Sequence, residues 1–372
     1  MIPGFKYLAF AFIVVLFGTR NGRVLLTQHC LKWLRNNVTL IPYPIRRHLC
    51  AFLFNMPTSL ARLLLDFASQ PQKDQLGWIL KVQPSPTLSG HWIAPSMSNL
   101  TMESLKEAVH GFDIVILFAH GGGFTVGNSV MYMPSFQFIW NRLKQKHGLS
   151  TSIFSIEYPL PPTGPYPKAK ETCLEAYQYL VHDLGISPTK IVLVGDSAGG
   201  NLMINTILSV RDQRTSRLQD SLPPLPLPIG CVLISPWVAL HSGSPTYKSS
   251  KGFDVLTEWQ LDRHLSLYLP DIHGLDSKTK ELFLHQPAIS SVYASFDKIL
   301  TRFLITYSDR EALQYDILRF IQKLQDDKVQ IDVLSRSDQA HIWVIEPTLA
   351  SSRDVWEQDL GKVTDWIADC CL

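Results

Sequence analysis

Short apolar runs alternate with helix-like stretches from about residue 113 to the end of the chain. Each run is as long as a strand and rich in Val, Ile, Leu or Phe, as in strands that are buried on both faces of a sheet. The runs are Ile114–Phe118, Ile153–Ile156, Ile191–Val194, Cys231–Ile234, Phe303–Thr306 and Ile331–Leu334. The helix-like stretches are Ser135–His147, Lys168–Leu180, Ala198–Val210, Ala312–Gln325 and Val355–Ala368. This alternation predicts an α/β fold with a mostly parallel central sheet flanked by helices.

The connection from Trp237 to Asp297 interrupts the alternation. It is far longer than a usual link between neighbouring elements, and it contains a helix-like piece, Glu258–Tyr268. We therefore expect a cap inserted at about residues 238–297. Earlier in the chain, apolar stretches compatible with helices are broken by prolines. This pattern predicts an N-terminal cap or pre-domain over residues 21–112 and the main domain over residues 113–372.

The N-terminal segment Tyr7–Gly18 is apolar and carries no charge. Extended back to Met1, it approaches the roughly 20 residues that span a bilayer, with Lys6 able to reach the membrane surface. We expect residues 1–20 to form a retained membrane anchor. A cleaved signal peptide, for which no small-x-small site follows, and a buried helix remain alternatives.

Composition narrows the class of protein. The 372 residues are 46% hydrophobic and 18% charged, which is typical of a compact globular chain. The net charge of +2 is too small and too scattered to suggest a nucleic-acid partner. No cluster of Cys and His has metal-ligand spacing, so no metal or cofactor is predicted. Sequons at Asn37 and Asn99 would be glycosylated only in a lumenal protein.

A G-x-S-x-G pentapeptide, Gly195–Gly199, lies directly between the apolar run Ile191–Val194 and a helix-like stretch. A serine hydroxyl is a weak nucleophile, and it must stand clear of the sheet on a sharp turn that only small neighbours allow. The helix that follows directs its positive end to the site. This context predicts that Ser197 is a nucleophile.

A glycine-rich loop, His120–Phe124, follows the run that ends at Phe118. Backbone N–H groups in such a loop can turn inward and bind an oxyanion. We predict an oxyanion hole formed by Gly122 and Gly123 together with the N–H of Ala198.

An activated serine also needs a base and an acid that orients the base, and after a G-x-S-x-G turn the chain order is serine, acid, histidine. Of the histidines after Ser197, only His341 follows the last strand and precedes the last helix. His341 is therefore the predicted base. The acid should follow Phe303–Thr306, where Asp309 and Glu311 are both candidates.

With these motifs, the chain resembles the hormone-sensitive-lipase-like branch of the α/β hydrolases. The resemblance runs from about Ile114 to the C-terminus and includes His120–Gly123, Gly195–Gly199, Glu157–Pro161 and Ser235–Trp237. It implies an α/β-hydrolase fold and a serine esterase that acts through an acyl-enzyme and needs no cofactor.

The resemblance also bears on the acid. Alignment on Leu313 puts Glu311 at the position where the branch usually has aspartate, and Tyr315 where a second carboxylate usually stands. A glutamate can still orient an imidazole, so the resemblance favours Glu311 and leaves Asp309 as the alternative.

Within the branch, the apolar N-terminus, the long pre-domain and a Glu at the acid position resemble the fungal steryl acetyl hydrolases. This implies a lipid ester substrate, deacetylation of sterols, and a single-pass protein of the endoplasmic reticulum membrane with a lumenal catalytic domain. A carboxylesterase or lipase that acts on other short acyl esters is an alternative. A binding protein without catalytic activity is another.

Overall fold

An eight-stranded sheet forms the centre of the computed structural model, which describes residues 38–215, 224–241 and 243–371. Its strands are β1 (Ile79–Val82), β2 (Gly90–Ile93), β3 (Ile114–Ala119), β4 (Thr151–Ile156), β5 (Ile191–Asp196), β6 (Gly230–Ile234), β7 (Arg302–Ser308) and β8 (Ile331–Arg336). The strand order is β1–β2–β4–β3–β5–β6–β7–β8. The pairs β1–β2 and β2–β4 are antiparallel and the other pairs are parallel.

The described helices are α1 (Tyr43–Phe54), α2 (Thr58–Ala68), α3 (Met102–His110), α4 (Met133–His147), α5 (Lys168–Gln178), α6 (Ala198–Thr215), α7 (Pro245–Ser249), α8 (Glu258–Tyr268), α9 (Ser277–Leu284), α10 (Gln314–Asp326) and α11 (Arg353–Cys371). Successive residues of β3 point to opposite faces, because side chains alternate along a strand. Val115 and Leu117 join the core that includes α5, α6 and α10, whereas Ile114 and Ile116 join the core with α4 and α11. Helices therefore cover the sheet on both faces.

All six predicted strands are present as β3–β8, and the predicted mostly parallel sheet flanked by helices is confirmed. The strands β1 and β2 are additional. They were missed because Lys81, Gly90 and His91 break the apolar pattern on which a prediction depends. Both belong to the same sheet as the later strands, and the domain division at residue 113 stays a prediction.

The predicted helices differ from the observed ones mainly at their ends. The stretch predicted over Lys168–Leu180 is α5 followed by a π-helical turn over Tyr179–Asp183. The helix α10 begins at Gln314, two residues after the predicted start at Ala312, whose N–H is bonded to the carboxylate of Asp254. The predicted piece Glu258–Tyr268 is α8, which begins with a capping box formed by Thr257 and Gln260.

The insertion after Trp237 contains α7, α8 and α9. Arg263 of α8 donates hydrogen bonds to the carbonyls of Met56 (2.7 Å) and Phe54 (3.0 Å) at the end of α1. On the same helix, Tyr268 stacks on Phe124 of the glycine-rich loop, with ring centroids 3.9 Å apart. The insertion therefore packs over that loop, and its role as a cap stays a prediction.

The predicted membrane anchor, residues 1–20, lies outside the described residues. Within the part of the chain that the structure describes, no helix has the length and apolar character needed to cross a bilayer.

Candidate active site

Ser197 occupies the sharp turn between β5 and α6, with a left-handed φ of 51°. The glycines of the pentapeptide are required by close packing. A Cβ on Gly199 would lie 2.0 Å from the carbonyl oxygen of Ala119, and one on Gly195 would lie 2.4 Å from that of Gly199. The strained turn is thus held between β3 and the start of α6, as the motif predicts.

The glycine-rich loop lies beside this turn because β3 and β5 are neighbours in the sheet. The N–H of Gly121 donates to Oδ1 of Asp196 at 2.9 Å, and the hydroxyl of Tyr132 donates to Oδ2 at 2.8 Å. Burial raises the pKa of Asp196 to about 7. Gly122 and Gly123 both have positive φ, 98° and 60°, which is the conformation that favours glycine.

Three backbone N–H groups near this turn are unused, those of Gly122, Gly123 and Ala198. None of them donates a backbone hydrogen bond to another described residue. Ala198 is also the first residue of α6, where the free N–H groups carry the positive end of the helix dipole. Donors of this kind can stabilise an oxygen on which negative charge develops.

His341 and Glu311 lie together in the loops that follow β8 and β7. The distance from His341 Nδ1 to Glu311 Oε1 is 3.6 Å, an ion-pair distance just beyond hydrogen-bond length, and both side chains are buried. The other oxygen of Glu311, Oε2, accepts from Ser235 Oγ at 2.8 Å and from the N–H of Ser308 at 3.0 Å. Oε1 is thus the oxygen available to the imidazole.

Burial lowers the pKa of His341, but the carboxylates of Glu311, Asp254 and Asp196 outweigh burial and raise the pKa above its ordinary value. Nε2 of His341 makes no hydrogen bond to a described residue. That nitrogen is therefore free to exchange a proton with another group.

Asp309, the other predicted acid, is exposed to solvent. Its backbone N–H donates to the carbonyl of Arg336 at 2.8 Å, which fixes this end of the turn against β8. The structure thus brings Glu311 next to His341 and leaves Asp309 at the surface.

Two other histidines after Ser197 occupy packing positions. His264 of α8 is buried against Gly123, and its Nδ1 is 2.5 Å from the hydroxyl of Thr125. Burial lowers the pKa of His264 to about 4, so the ring is neutral. His285 packs against Tyr293, with ring centroids 4.4 Å apart. Among the described residues, no group of three or more His, Cys, Asp or Glu side chains could hold a metal ion.

Asp254, in the insertion, is a site residue that the sequence reasoning missed. Its carboxylate accepts hydrogen bonds from the backbone of Ala312 and of His341. The sequence could have indicated this residue, because its carboxylate lies between two apolar residues, Phe253 and Val255, an unusual position for a solvated charge.

Comparison with known proteins shows which family has this fold and these motifs. The sequence model of the α/β hydrolase fold family matches residues 116–345, more than half of the chain. The chain belongs to the α/β hydrolase fold family. The matched range includes the glycine-rich loop, the Ser197 turn and His341.

Three relatives match parts of the chain. An esterase of Acinetobacter venetianus is 26% identical over 58% of this chain and 63% of its own length. An acetyl-hydrolase of Streptomyces hygroscopicus is 29% identical over 38% of this chain and 42% of its own length. The hormone-sensitive lipase of Mus musculus is 39% identical over 25% of this chain and 12% of its own length. This chain thus spans less than two thirds of each relative.

A solved structure matches more of the chain. The crystal structure of a hormone-sensitive lipase from a metagenome library has a TM-score of 0.66 and covers 92% of this chain and 98% of its own, at 21% identity. The family match over residues 116–345 confirms the predicted superfamily, and the partial match to hormone-sensitive lipase agrees with the predicted hormone-sensitive-lipase-like branch. The narrower resemblance to steryl acetyl hydrolases stays a prediction.

Proposed function

We propose that this chain is a serine esterase that hydrolyses carboxylic esters through an acyl-enzyme. One observation carries the proposal: Ser197 stands at a left-handed strand-to-helix turn, and the loops after β7 and β8 bring the buried carboxylate of Glu311 within 3.6 Å of the buried imidazole of His341. The three unused backbone donors of Gly122, Gly123 and Ala198 supply the oxyanion hole.

In the proposed first step, His341 Nε2 takes the proton of Ser197 Oγ as that oxygen bonds to the ester carbonyl carbon. The carbonyl oxygen becomes an oxyanion that accepts from the three N–H groups. The protonated imidazole, stabilised by Glu311, then gives its proton to the departing alcohol. Water cleaves the acyl-enzyme in the second step by the same transfers in reverse.

Glu311 is the proposed acid. Its side chain has 0% exposure, two donors fix one carboxylate oxygen, and the other oxygen faces His341. An ion pair in such surroundings is screened little by solvent, so it can hold the imidazole in one tautomer. Asp309 is exposed and offers no such orientation.

The proposed substrate is an acetylated sterol. The helix α8 covers the glycine-rich loop, and Arg62 of α2 donates to the carbonyl of Thr125, the residue after that loop, at 2.5 Å. The insertion and the N-terminal helices therefore both pack on this part of the site. Similarity to an acetyl-hydrolase agrees with a short acyl group. A large apolar alcohol would add binding energy at roughly 25 cal/mol per Å² of apolar area buried.

The substrate test compares kcat/KM of the purified chain on a sterol acetate, a sterol oleate and a small soluble acetate, with Ser197→Ala as the control. We expect the sterol acetate to be hydrolysed best, and the preference over longer acyl chains to be graded, since one methylene is worth about 1–3 kcal/mol. Equal rates on the oleate would indicate a broad carboxylesterase or lipase. Equal rates on the small acetate would contradict the sterol preference. A chain that hydrolyses none of the three and is not labelled by a fluorophosphonate would be a binding protein.

The proposed location is the endoplasmic reticulum membrane, with residues 1–20 as the anchor and the catalytic domain in the lumen. Two exposed apolar side chains support contact with lipid: Phe52 on α1 is 63% exposed and Leu63 on α2 is 66% exposed. Deleting residues 1–20 should move the protein from the carbonate-washed membrane fraction to the soluble fraction. If the shortened chain stays in the membrane fraction and adding Phe52→Ser and Leu63→Ser releases it, α1 and α2 are the anchor instead.

Asn99 reports the orientation, because it is exposed and begins a sequon. A lumenal domain should show a glycosidase-sensitive shift in mobility that Asn99→Gln reduces. If the chain shows no such shift in a host that glycosylates a lumenal control protein, the lumenal placement is wrong.

A further inference from the structure

Asp254 lies in the insertion, just before α8, and is 6% exposed. Three backbone N–H groups bind its carboxylate. Oδ1 accepts from Val255 at 2.8 Å and from His341 at 3.0 Å, and Oδ2 accepts from Ala312 at 2.7 Å. None of the ion pairs among the described residues includes Asp254, so its partners are all backbone donors.

These bonds join the two loops that bear the proposed acid and base. Ala312 directly follows Glu311 after β7, and His341 follows β8, the neighbouring parallel strand. Each loop is therefore bound to one oxygen of the same rigid carboxylate. Because the planar carboxylate has a fixed size, it sets how far apart the two loops lie.

A second link joins the same two loops. Ser235 Oγ donates to Glu311 Oε2 at 2.8 Å and accepts from the N–H of Ile342 at 3.2 Å. The acid and base loops are thus joined by two side chains, one at the end of β6 and one in the insertion. Of these two linking side chains, only that of Asp254 is a carboxylate and can add charge to the site.

The charged and titratable groups around the pair come from several elements. His341 is faced by Glu311 after β7, by Asp254 of the insertion and by Asp196 at the end of β5. Asp254 is faced by His341, by Glu311 and by Tyr43 of α1. Burial raises the pKa of Tyr43 to about 12, so its phenol is neutral.

We propose that Asp254 is a positioning residue for the reaction of Ser197: its carboxylate fixes the spacing of Glu311 and His341 and places a negative charge beside the imidazolium that forms. The proposal rests on the proposed esterase function. Asp254 neither touches the substrate nor accepts the proton of Ser197. It acts through the backbone of His341 and Ala312 and through its charge.

The test is Asp254→Asn in the full chain. The amide oxygen can keep the two donors on the Oδ1 side, which puts an NH2 group against the N–H of Ala312 and removes the charge. Displacing a catalytic group by about 1 Å can cost on the order of 100-fold in rate, so we expect a loss of that size in kcat with KM changed less than about threefold. The acid limb of the kcat/KM profile should move to lower pH, because the imidazolium has lost a stabilising carboxylate.

Asp276→Asn is the matched control. Asp276 lies in the same insertion and also accepts two backbone N–H groups, from Lys278 and Thr279, at the exposed start of α9. Asparagine is an equally good cap at such a position. We expect kcat, KM and the acid limb of this variant to match those of the unmodified chain.

A purely structural role for Asp254 predicts a different result: a lower melting temperature, but an unchanged kcat per labelled site and an unmoved acid limb. That result would overturn the proposal. If Asp254→Asn does not fold, Asp254→Glu takes its place, since it keeps the charge but lengthens the link. This variant should lose kcat without moving the acid limb, and an unchanged kcat in folded protein would again overturn the proposal.

Fluorophosphonate labelling of the unmodified chain distinguishes failure of the esterase proposal from failure of the proposed role of Asp254. If Ser197 is not labelled, the esterase proposal fails and the role of Asp254 fails with it. If Ser197 is labelled and Asp254→Asn reacts at the same rate, only the role of Asp254 is wrong.

Discussion

Replacing Glu311 with glutamine tests the proposed acid, because the surrounding hydrogen bonds determine how the new amide group is oriented. Ser235 Oγ–H and Ser308 N–H both donate to Oε2, so in the variant these donors select the amide oxygen at that position. The NH2 group must then occupy the place of Oε1, 3.6 Å from His341 Nδ1 in the unmodified chain. An amide donor there favours the imidazole tautomer with its proton on Nε2, which cannot accept a proton from Ser197.

Serine hydrolases lose about 10⁴-fold in kcat when the orienting carboxylate becomes an amide, and this loss corresponds to about 5 kcal/mol of transition-state stabilisation. We expect a loss of this order for Glu311→Gln, with KM changed little. The glutamine side chain has nearly the same size and its oxygen still accepts hydrogen bonds from Ser235 and Ser308, so the variant should remain folded. Hydrolysis of a chromogenic acetate and the rate of fluorophosphonate labelling both measure the loss.

Asp309→Asn is the matched control, because it makes the same chemical change two residues away at an exposed position. Charges at exposed sites are screened by solvent, so kcat should fall by less than about threefold. If Asp309→Asn costs more than Glu311→Gln, the acid is Asp309 and the argument from the burial of Glu311 is wrong.

Three further predictions follow from the same site. Ser197→Ala should abolish hydrolysis and fluorophosphonate labelling together, and labelling that persists would place the nucleophile elsewhere. Since the base must be neutral and the pKa of His341 is raised, kcat/KM should fall as the pH drops through a value above about 6.5, and an acid limb below that value would contradict the charge arrangement. Gly199→Ala should lower the free energy of unfolding by about 1–3 kcal/mol or more because its Cβ meets a backbone carbonyl, whereas Gly77→Ala, with open space around it, should unfold in urea like the unmodified chain.

The sequence predicted those parts of the structure that local patterns determine. Runs buried on both faces gave β3–β8, and the chain order of a G-x-S-x-G protein was enough to select Ser197 and His341. The choice between Glu311 and Asp309 could not be made from the residues alone, because it depends on the turn after β7. In that turn the Ser308 N–H binds the glutamate, and Asp309 is held at the surface through its backbone.

Long-range contacts could not be predicted, because no local sequence pattern indicates them. The bonds of Asp254 join it to residues 58 and 87 positions later in the chain, and its neighbours in sequence suggest only an apolar turn before a helix. The strands β1 and β2 were missed for a related reason. Their burial comes from β4 and the helices around them rather than from an apolar run of their own.

The antiparallel strands β1 and β2 determine which fragments of this protein we expect to be soluble when expressed alone. A fragment that begins at residue 113 would contain every predicted catalytic residue but would leave β4 without its partner β2. It would also uncover Phe154, on which the buried ring of Trp92 stacks at 5.0 Å. An unpaired edge with an apolar face promotes association between chains. Recombinant fragments should therefore begin before Ile79, and insoluble protein from a shorter one would reflect this open edge rather than a defect in the active site.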